Sequence, residues 1–388
     1  MRRVLLLLLL TFLGTSASCS TADAQETQPP FATKAKQAYL VESKTGTVLL
    51  AINENQDLPP ASLAKLMTME VVFSALKRGE ITSDTTYTVS QNAWRTGGAP
   101  SGTTTMFAAL NSQVRVEDLV KGVIVQNGND ACIILAEGIS GSESEFAARM
   151  TARAKDLGLG RSTFGNATGL PSAESHTTVR DLVELSRHIH REYPEYYPIY
   201  SQPDFEWNKI FQRNKNPLMS LNLGVDGLGA GYAEGAGFAL AASVERNGTR
   251  LFLAMGGLAS DKERLEEARK VLEWGLSAFQ TKVLFKQDEV IGQASVYGGT
   301  SRYVDLVAKE PVDIYLPTNN PDRLSARIVY RWPLRAPVSA GQDVGVLRIS
   351  AGDRVIREVP LVANQAIGTG TLASRATDAL LELMFFWL

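Results

Sequence analysis

The stretch Pro59-Pro60-Ala61-Ser62-Leu63-Ala64-Lys65-Leu66-Met67 sets two prolines before a run of helical period, carried by Leu63, Leu66, Met67 and Val71. The spacing predicts a helix over Ser62–Arg78, stopped by Gly79. A serine at a helix start ordinarily caps free N–H groups. A lysine one turn later is the oddity, because the first turn carries the positive end of the helix dipole and favours acidic residues. At i, i+3 the hydroxyl of Ser62 and the amine of Lys65 share a face. A serine hydroxyl attacks only with a base in hydrogen-bond reach, and burial beside a positive helix end drives lysine toward its neutral form. Ser62 is therefore a candidate nucleophile and Lys65 its candidate base. Ser-x-x-Lys alone is a weak signal in a chain of 388 residues.

Working outward, residues 25–37 are polar and carry prolines, which reads as a linker. Ala38–Asn53 alternates around Lys44-Thr45-Gly46 as a β-hairpin. Residues 83–113 are loops with short strands. Helices are expected over Val116–Val125 and Ala131–Ile139, joined by a turn at Gln126–Asp130, and again over Glu143–Leu157 and Val179–Arg191. Gly237–Val244 and Arg250–Met255 flank Arg246-Asn247-Gly248, a strong hairpin signal, and Lys262–Ala278 is a charged helix. Strands at both ends with helices between imply a mixed α/β (α+β) fold, its sheet assembled from distant segments. After about residue 280, Val312–Leu316, Ala326–Tyr330, Val344–Ile349 and Val355–Val359 mark a small all-β module. Leu372–Leu388 returns to helical period, with Leu372, Ala376, Leu380, Leu383, Met384 and Trp387 on one face, as in a membrane-surface helix; a helix docked on the β module is the alternative.

Composition is ordinary for a globular chain, 44% hydrophobic and 21% charged, and a net charge of −2 gives no electrostatic case for nucleic acid. Arg2-Arg3, the apolar run Val4–Leu13 and Ala22-Asp23-Ala24 form a secretion signal over 1–24. Lipoprotein processing at Cys19 is the weaker reading, since Ser16 stands where that signal wants leucine. Export would leave Cys132 as the sole cysteine, with no intrachain disulfide. No metal or cofactor is expected: the chain has three histidines, and His188 and His190 point apart on one helix. No Gly-x-Ser-x-Gly elbow occurs. Gly227-Leu228-Gly229-Ala230-Gly231 lacks the third glycine of a dinucleotide fingerprint, and strands rather than a helix follow it.

"PPASLAKLMTM" (59–69), "VKGVIVQNGNDACIILAE" (120–137), "LGLGRSTFGNATGLP" (157–171) with "TTVRDL" (177–182), and "VDGLGAGYAEGAGFALAAS" (225–243) resemble, in order and spacing, the low-molecular-mass penicillin-binding proteins that are D-alanyl-D-alanine carboxypeptidases. The resemblance implies a β-lactamase/transpeptidase-like helical cluster with an antiparallel sheet over 38–280. It also implies a β-sandwich-like C-terminal domain over 281–370 and a membrane-associating helix over 371–388. It implies that Ser62 forms an acyl-enzyme with Lys65 as base, and that Asn129 binds the substrate amide and steadies Lys65. The oxyanion would be held by N–H groups of Ser62 and of the strand just after Gly231. The expected partners are stem peptides ending in D-Ala-D-Ala, β-lactams as inhibitors and the inner membrane surface from the periplasmic side.

Two positions depart from that family's motifs. Asn127 stands where Ser-x-Asn has serine, and an amide cannot relay a proton as a hydroxyl can. Gly229-Ala230-Gly231 replaces Lys-Thr-Gly, which removes the cation that would meet the substrate carboxylate. Arg264 matches a basic residue of the family near the cleft and is a candidate replacement, as are Lys209, Arg213 and Lys215, which otherwise read as solvated surface charges. A serine carboxypeptidase is the favoured reading. The alternative is a catalytically impaired peptidoglycan-peptide-binding protein of the same fold, and a distant one is a β-lactamase.

Overall fold

The computed structural model describes residues 31–221, 223–319, 323–352, 354–372 and 375–376. The expected signal peptide, the start of the expected linker and most of the expected C-terminal helix lie outside these residues. The rest of that linker is docked: Phe31 stacks on Trp274 at 4.8 Å, and Thr33 and Lys34 both donate to Glu267.

The fold opens with the hairpin β1 (Gln37–Glu42) and β2 (Val48–Ile52), then α1 (Ala64–Lys77). Two short strands, β3 (Thr86–Thr88) and β4 (Gln113–Arg115), bracket an irregular region. Four helices follow: α2 (Val116–Ile124), α3 (Asn129–Ser140), α4 (Glu143–Asp156) and α5 (Val179–Glu192). A small hairpin, β5 (Asp204–Trp207) and β6 (Ile210–Arg213), precedes β7 (Val225–Ala233), β8 (Gly237–Arg246) and β9 (Thr249–Leu258). Helix α6 (Asp261–Ser277) ends this part of the chain.

The main sheet is antiparallel throughout, in the order β2-β1-β9-β8-β7. Its closure joins distant segments, with Ala38 opposite Met255. The alternation of a strand sorts its side chains to two cores. Tyr39, Val41, Phe252 and Ala254 face the cluster of α1–α5, whereas Leu40, Leu251, Leu253 and Met255 face α6. Burying each large apolar side chain stabilises the fold by about 1.5–3 kcal/mol. Helix α1 lies inside the first core, buried all round from Ala64 to Ala75, so its polar residues need internal partners.

A second module carries eight strands: β10 (Phe279–Phe285), β11 (Val290–Tyr297), β12 (Tyr303–Val307), β13 (Val312–Pro317), β14 (Leu324–Tyr330), β15 (Leu334–Arg335), β16 (Asp343–Ala351) and β17 (Arg354–Ala363). It has its own core around Val304, Leu306, Ile314, Ile349 and Leu361. Tyr315 ties it to the first part, packing against Phe279 and donating to the Gly275 carbonyl at 3.0 Å. Among the described residues no helix is long and apolar enough to cross a membrane.

Candidate active site

The expected helix over Ser62–Arg78 begins two residues late. A 3₁₀ turn, Ala61–Leu63, leads into α1, and neither segment has a side-chain cap. The Ser62 hydroxyl is therefore not spent on capping. Ala61, just before it, sits at φ 46°, a left-handed conformation that costs a side-chain-bearing residue about 1–2 kcal/mol. Strain of that kind turns the chain sharply at the serine.

Lys65 is buried, with Nζ 3.4 Å from Ser62 Oγ and donating to the Thr168 carbonyl at 2.7 Å. Burial lowers its pKa below the ordinary 10.5. A neutral amine has two N–H donors and one lone pair. With a donor on Thr168, the lone pair is free to take the serine proton. Thr168 is fixed by a side-chain turn: Asn166 Oδ1 accepts from the backbone N–H groups of Thr168 (3.2 Å) and Gly169 (2.7 Å). Gly169 has φ +78°, and a Cβ there would lie 1.7 Å from the Ala61 oxygen, so only glycine lets this loop close on the turn that carries Ser62.

The turn between α2 and α3 forms the facing wall. Asn127 is left-handed at φ 61°, a conformation that asparagine tolerates better than most residues. Asn129 opens α3, but its amide donates to Thr103 Oγ1 at 3.0 Å, and the hydrogen bonds of Lys65 go to Ser62 and Thr168. Among the described residues it makes no hydrogen bond to Lys65 and instead ties α3 to the 103–105 loop. Beside it Asp130, fully buried, accepts from Thr105 Oγ1 and from the N–H groups of Met106 and Ala108. Burial pushes the Cys132 thiol up to about 12, with Lys65 opposing the shift.

Strand β7 is an edge of the sheet, so its outer backbone groups are available to an extended peptide. Gly231 abuts Ser62: a Cβ built there would lie 3.2 Å from Ser62 N and 3.1 Å from Ala61 Cβ. Ser62 N–H, in the first turn of a helix, has no intrahelical acceptor. Gly229 is the opposite case, since a Cβ there meets nothing nearer than Leu63 Cδ2 at 4.0 Å.

One cleft gathers Ser62, Lys65, Asn127, Gly229 and Ala230, with Tyr200, Lys215, Asn216 and Leu228. A groove continues it along β7, lined by Pro59, Pro60, Leu170, Pro171, Tyr232 and Glu234. Asn129 and Arg264 do not line the cleft. Arg264 is buried behind β7, donating to the carbonyls of Gly231 (3.2 Å) and Ala239 (3.4 Å) and paired with Asp261. Its side chain extends from α6, on the far side of the sheet, where Nη1 serves the two strand carbonyls and Nη2 pairs with Asp261. Tyr200 and Asn216 carry no motif that marks them from sequence as cleft residues, and nothing in the 157–171 stretch singles out the Thr168 carbonyl as the partner of Lys65. Asn166-Ala167-Thr168-Gly169 and Asn214-Lys215-Asn216-Pro217 are nonetheless turn signals at two of these places.

A family model described as D-alanyl-D-alanine carboxypeptidase matches residues 23–257, and one described as penicillin-binding protein 5, C-terminal domain, matches 279–369. The chain is 36% identical over 354 residues to D-alanyl-D-alanine carboxypeptidase DacD of Salmonella typhimurium, covering 90% of each. It is 35% identical to D-alanyl-D-alanine carboxypeptidase DacC of Escherichia coli, covering 97% of this chain and 94% of the relative. The crystal structure of penicillin binding protein 5 from Haemophilus influenzae superposes with a TM-score of 0.79 at 34% identity, covering 87% of this chain and 99% of that one.

Proposed function

The chain belongs to the D-alanyl-D-alanine carboxypeptidase family, and from that membership we propose how its own residues carry the reaction. It is a serine-type D-Ala-D-Ala carboxypeptidase. Neutral Lys65 takes the proton from Ser62 Oγ as the oxygen attacks the carbonyl carbon of the penultimate D-alanine. The oxyanion that forms is held by the Ser62 N–H and by the strand beside Gly231. Collapse breaks the peptide bond, and the terminal D-alanine leaves as an amine with the proton returned by Lys65. Water, activated by the same lysine, hydrolyses the ester and restores Ser62. Asn127 contributes an amide to the substrate from the facing wall, and β7 pairs with the peptide backbone.

The observation that carries this reading is the buried Lys65 amine 3.4 Å from Ser62 Oγ, with a carbonyl occupying one of its donors. A penicillin meets the same attack, but its opened ring stays tethered, so the ester accumulates. Intact-mass measurement after incubation with benzylpenicillin is expected to give one covalent adduct, absent in Ser62→Ala and Lys65→Ala. D-alanine release from a D-Ala-D-Ala peptide is expected to disappear with it. An adduct that persists in Ser62→Ala would refute the assignment.

The arginine-led apolar N-terminus and the one-sided apolar C-terminus support export to the periplasm and peripheral attachment to the inner membrane. Truncation before Leu372 is expected to move the protein to the soluble periplasmic fraction with its peptidase activity intact. Equal partitioning of both forms would argue against a membrane role for the tail.

A further inference from the structure

A D-Ala-D-Ala peptide and a penicillin each carry a carboxylate near the bond that Ser62 attacks, yet Gly229 and Ala230 offer it neither a cation nor a hydroxyl. Only two of the residues lining the cleft are charged, Lys65 and Lys215, and no carboxylate lines it. Lys65 is committed to Ser62 and Thr168 and is driven toward its neutral form. Arg264 is committed to two carbonyls and Asp261 behind the sheet.

Lys215 is the cation left over. Its side chain is exposed and makes no hydrogen bond or ion pair among the described residues. Its backbone, by contrast, is fixed. Lys215 N–H donates to the Val125 carbonyl at 2.9 Å, which holds it against the turn that carries Asn127. Asn214 on one side donates to the carbonyls of Tyr200 (3.1 Å) and Gln202 (2.8 Å) and accepts from Asn216 N–H at 2.8 Å. Asn216 on the other side accepts from Leu218 N–H at 3.1 Å. The open space over Gly229 leaves a long side chain room to reach in. At the same end, Tyr200 Oη and Asn216 Nδ2 are buried with no hydrogen-bond partner among the described residues, so their donor capacity is also unused.

We propose that Lys215 is the carboxylate-recognising residue of this cleft, supplying from the 214–217 turn the charge that β7 lacks. The proposal rests on the carboxypeptidase reading above. Lys215, Asn127 and Gly229 line one cleft, so an ammonium carried on the turn opens on the same space as one carried on β7. The assignment also explains how Gly229 is compatible with the activity.

The test uses the full chain and compares wild type, Lys215→Met and Lys215→Arg. The rate of covalent acylation is followed by intact mass with benzylpenicillin and with its methyl ester, which has no carboxylate. Lys215→Met is expected to slow acylation by benzylpenicillin by roughly tenfold or more, as loss of a charge-assisted contact does. The difference is expected to shrink at high salt and to vanish with the methyl ester, and Lys215→Arg is expected to keep most of the wild-type rate. Equal benzylpenicillin rates for wild type and Lys215→Met would overturn the assignment alone. The same loss with the methyl ester as with benzylpenicillin would also overturn it, by making the lysine's effect structural. No adduct with any form, wild type included, would overturn the acyl-enzyme chemistry and this assignment together.

Discussion

Gly231 and Gly229 lie two residues apart on β7 and are expected to respond oppositely to a single methyl group. In Gly231→Ala the new Cβ would stand 3.2 Å from Ser62 N, 3.1 Å from Ala61 Cβ and 3.5 Å from the Pro60 oxygen. These neighbours are backbone or nearly so, and they cannot rotate away. Relief requires β7 to back away from the nucleophile turn by a few tenths of an ångström. Overpacking of this kind costs about 1–3 kcal/mol of stability. The larger effect falls on catalysis, because the oxyanion donors on Ser62 and β7 lose their common spacing. Removal of one such donor costs about 10²–10³-fold in rate, and a displaced donor is expected to lose about tenfold to a hundredfold of that. In Gly229→Ala the Cβ meets only Leu63 Cδ2 at 4.0 Å. There the alanine restricts the unfolded chain and is expected to raise stability by about 0.4–1 kcal/mol, with acylation unchanged. The assay is the benzylpenicillin acylation rate by intact mass, paired with a thermal melt of each variant. If Gly231→Ala acylates as fast as Gly229→Ala, the contact between β7 and Ser62 does not set the oxyanion site.

Other substitutions probe the remaining parts of the cleft. Gly229→Lys in the Lys215→Met background is expected to restore benzylpenicillin acylation, by roughly tenfold; no gain there would mean that charge at this end does not limit the reaction. Lys65 must be neutral to act, and burial holds its pKa below 10.5, so acylation is expected to fall as pH drops through that lowered value. The unfolded chain keeps this proton up to about 10.5 and the folded chain loses it earlier, so the lysine's contribution to stability grows as pH rises between the two values. Subtracting Lys65→Met from wild type in pH-dependent unfolding isolates that slope. Asp130→Ala is expected to lose about 2–6 kcal/mol, since the buried N–H groups of Met106 and Ala108 lose their acceptor at about 1–3 kcal/mol each; denaturant unfolding measures it. Cys132, buried with its thiol pushed up to about 12, is expected to resist alkylation in the native state and to react fully once unfolded.

Period and punctuation make several elements legible in the amino-acid sequence alone. The alternation of Gln37–Glu42 and of the β8–β9 hairpin, the helical face shared by Ser62 and Lys65, and the stop at Gly79 all concern residues within one turn or one strand pair. Interactions at that range are set by local geometry, and a sequence records them directly. The partner that holds the buried Lys65 amine is another matter: the Thr168 carbonyl is 103 residues away along the chain. The same holds for Asn129, whose amide is claimed by Thr103, and for Arg264, whose Nη1 is claimed by the carbonyls of Gly231 and Ala239. Each is a polar group buried by packing that must find an acceptor within reach, and only the closed sheet and helix cluster decide which one that is. Lys215 reads from sequence as one more solvated lysine. The flanking asparagine turns are local, but its position on the cleft follows from the backbone bond to Val125, which exists only when the 214–217 turn docks against the end of α2.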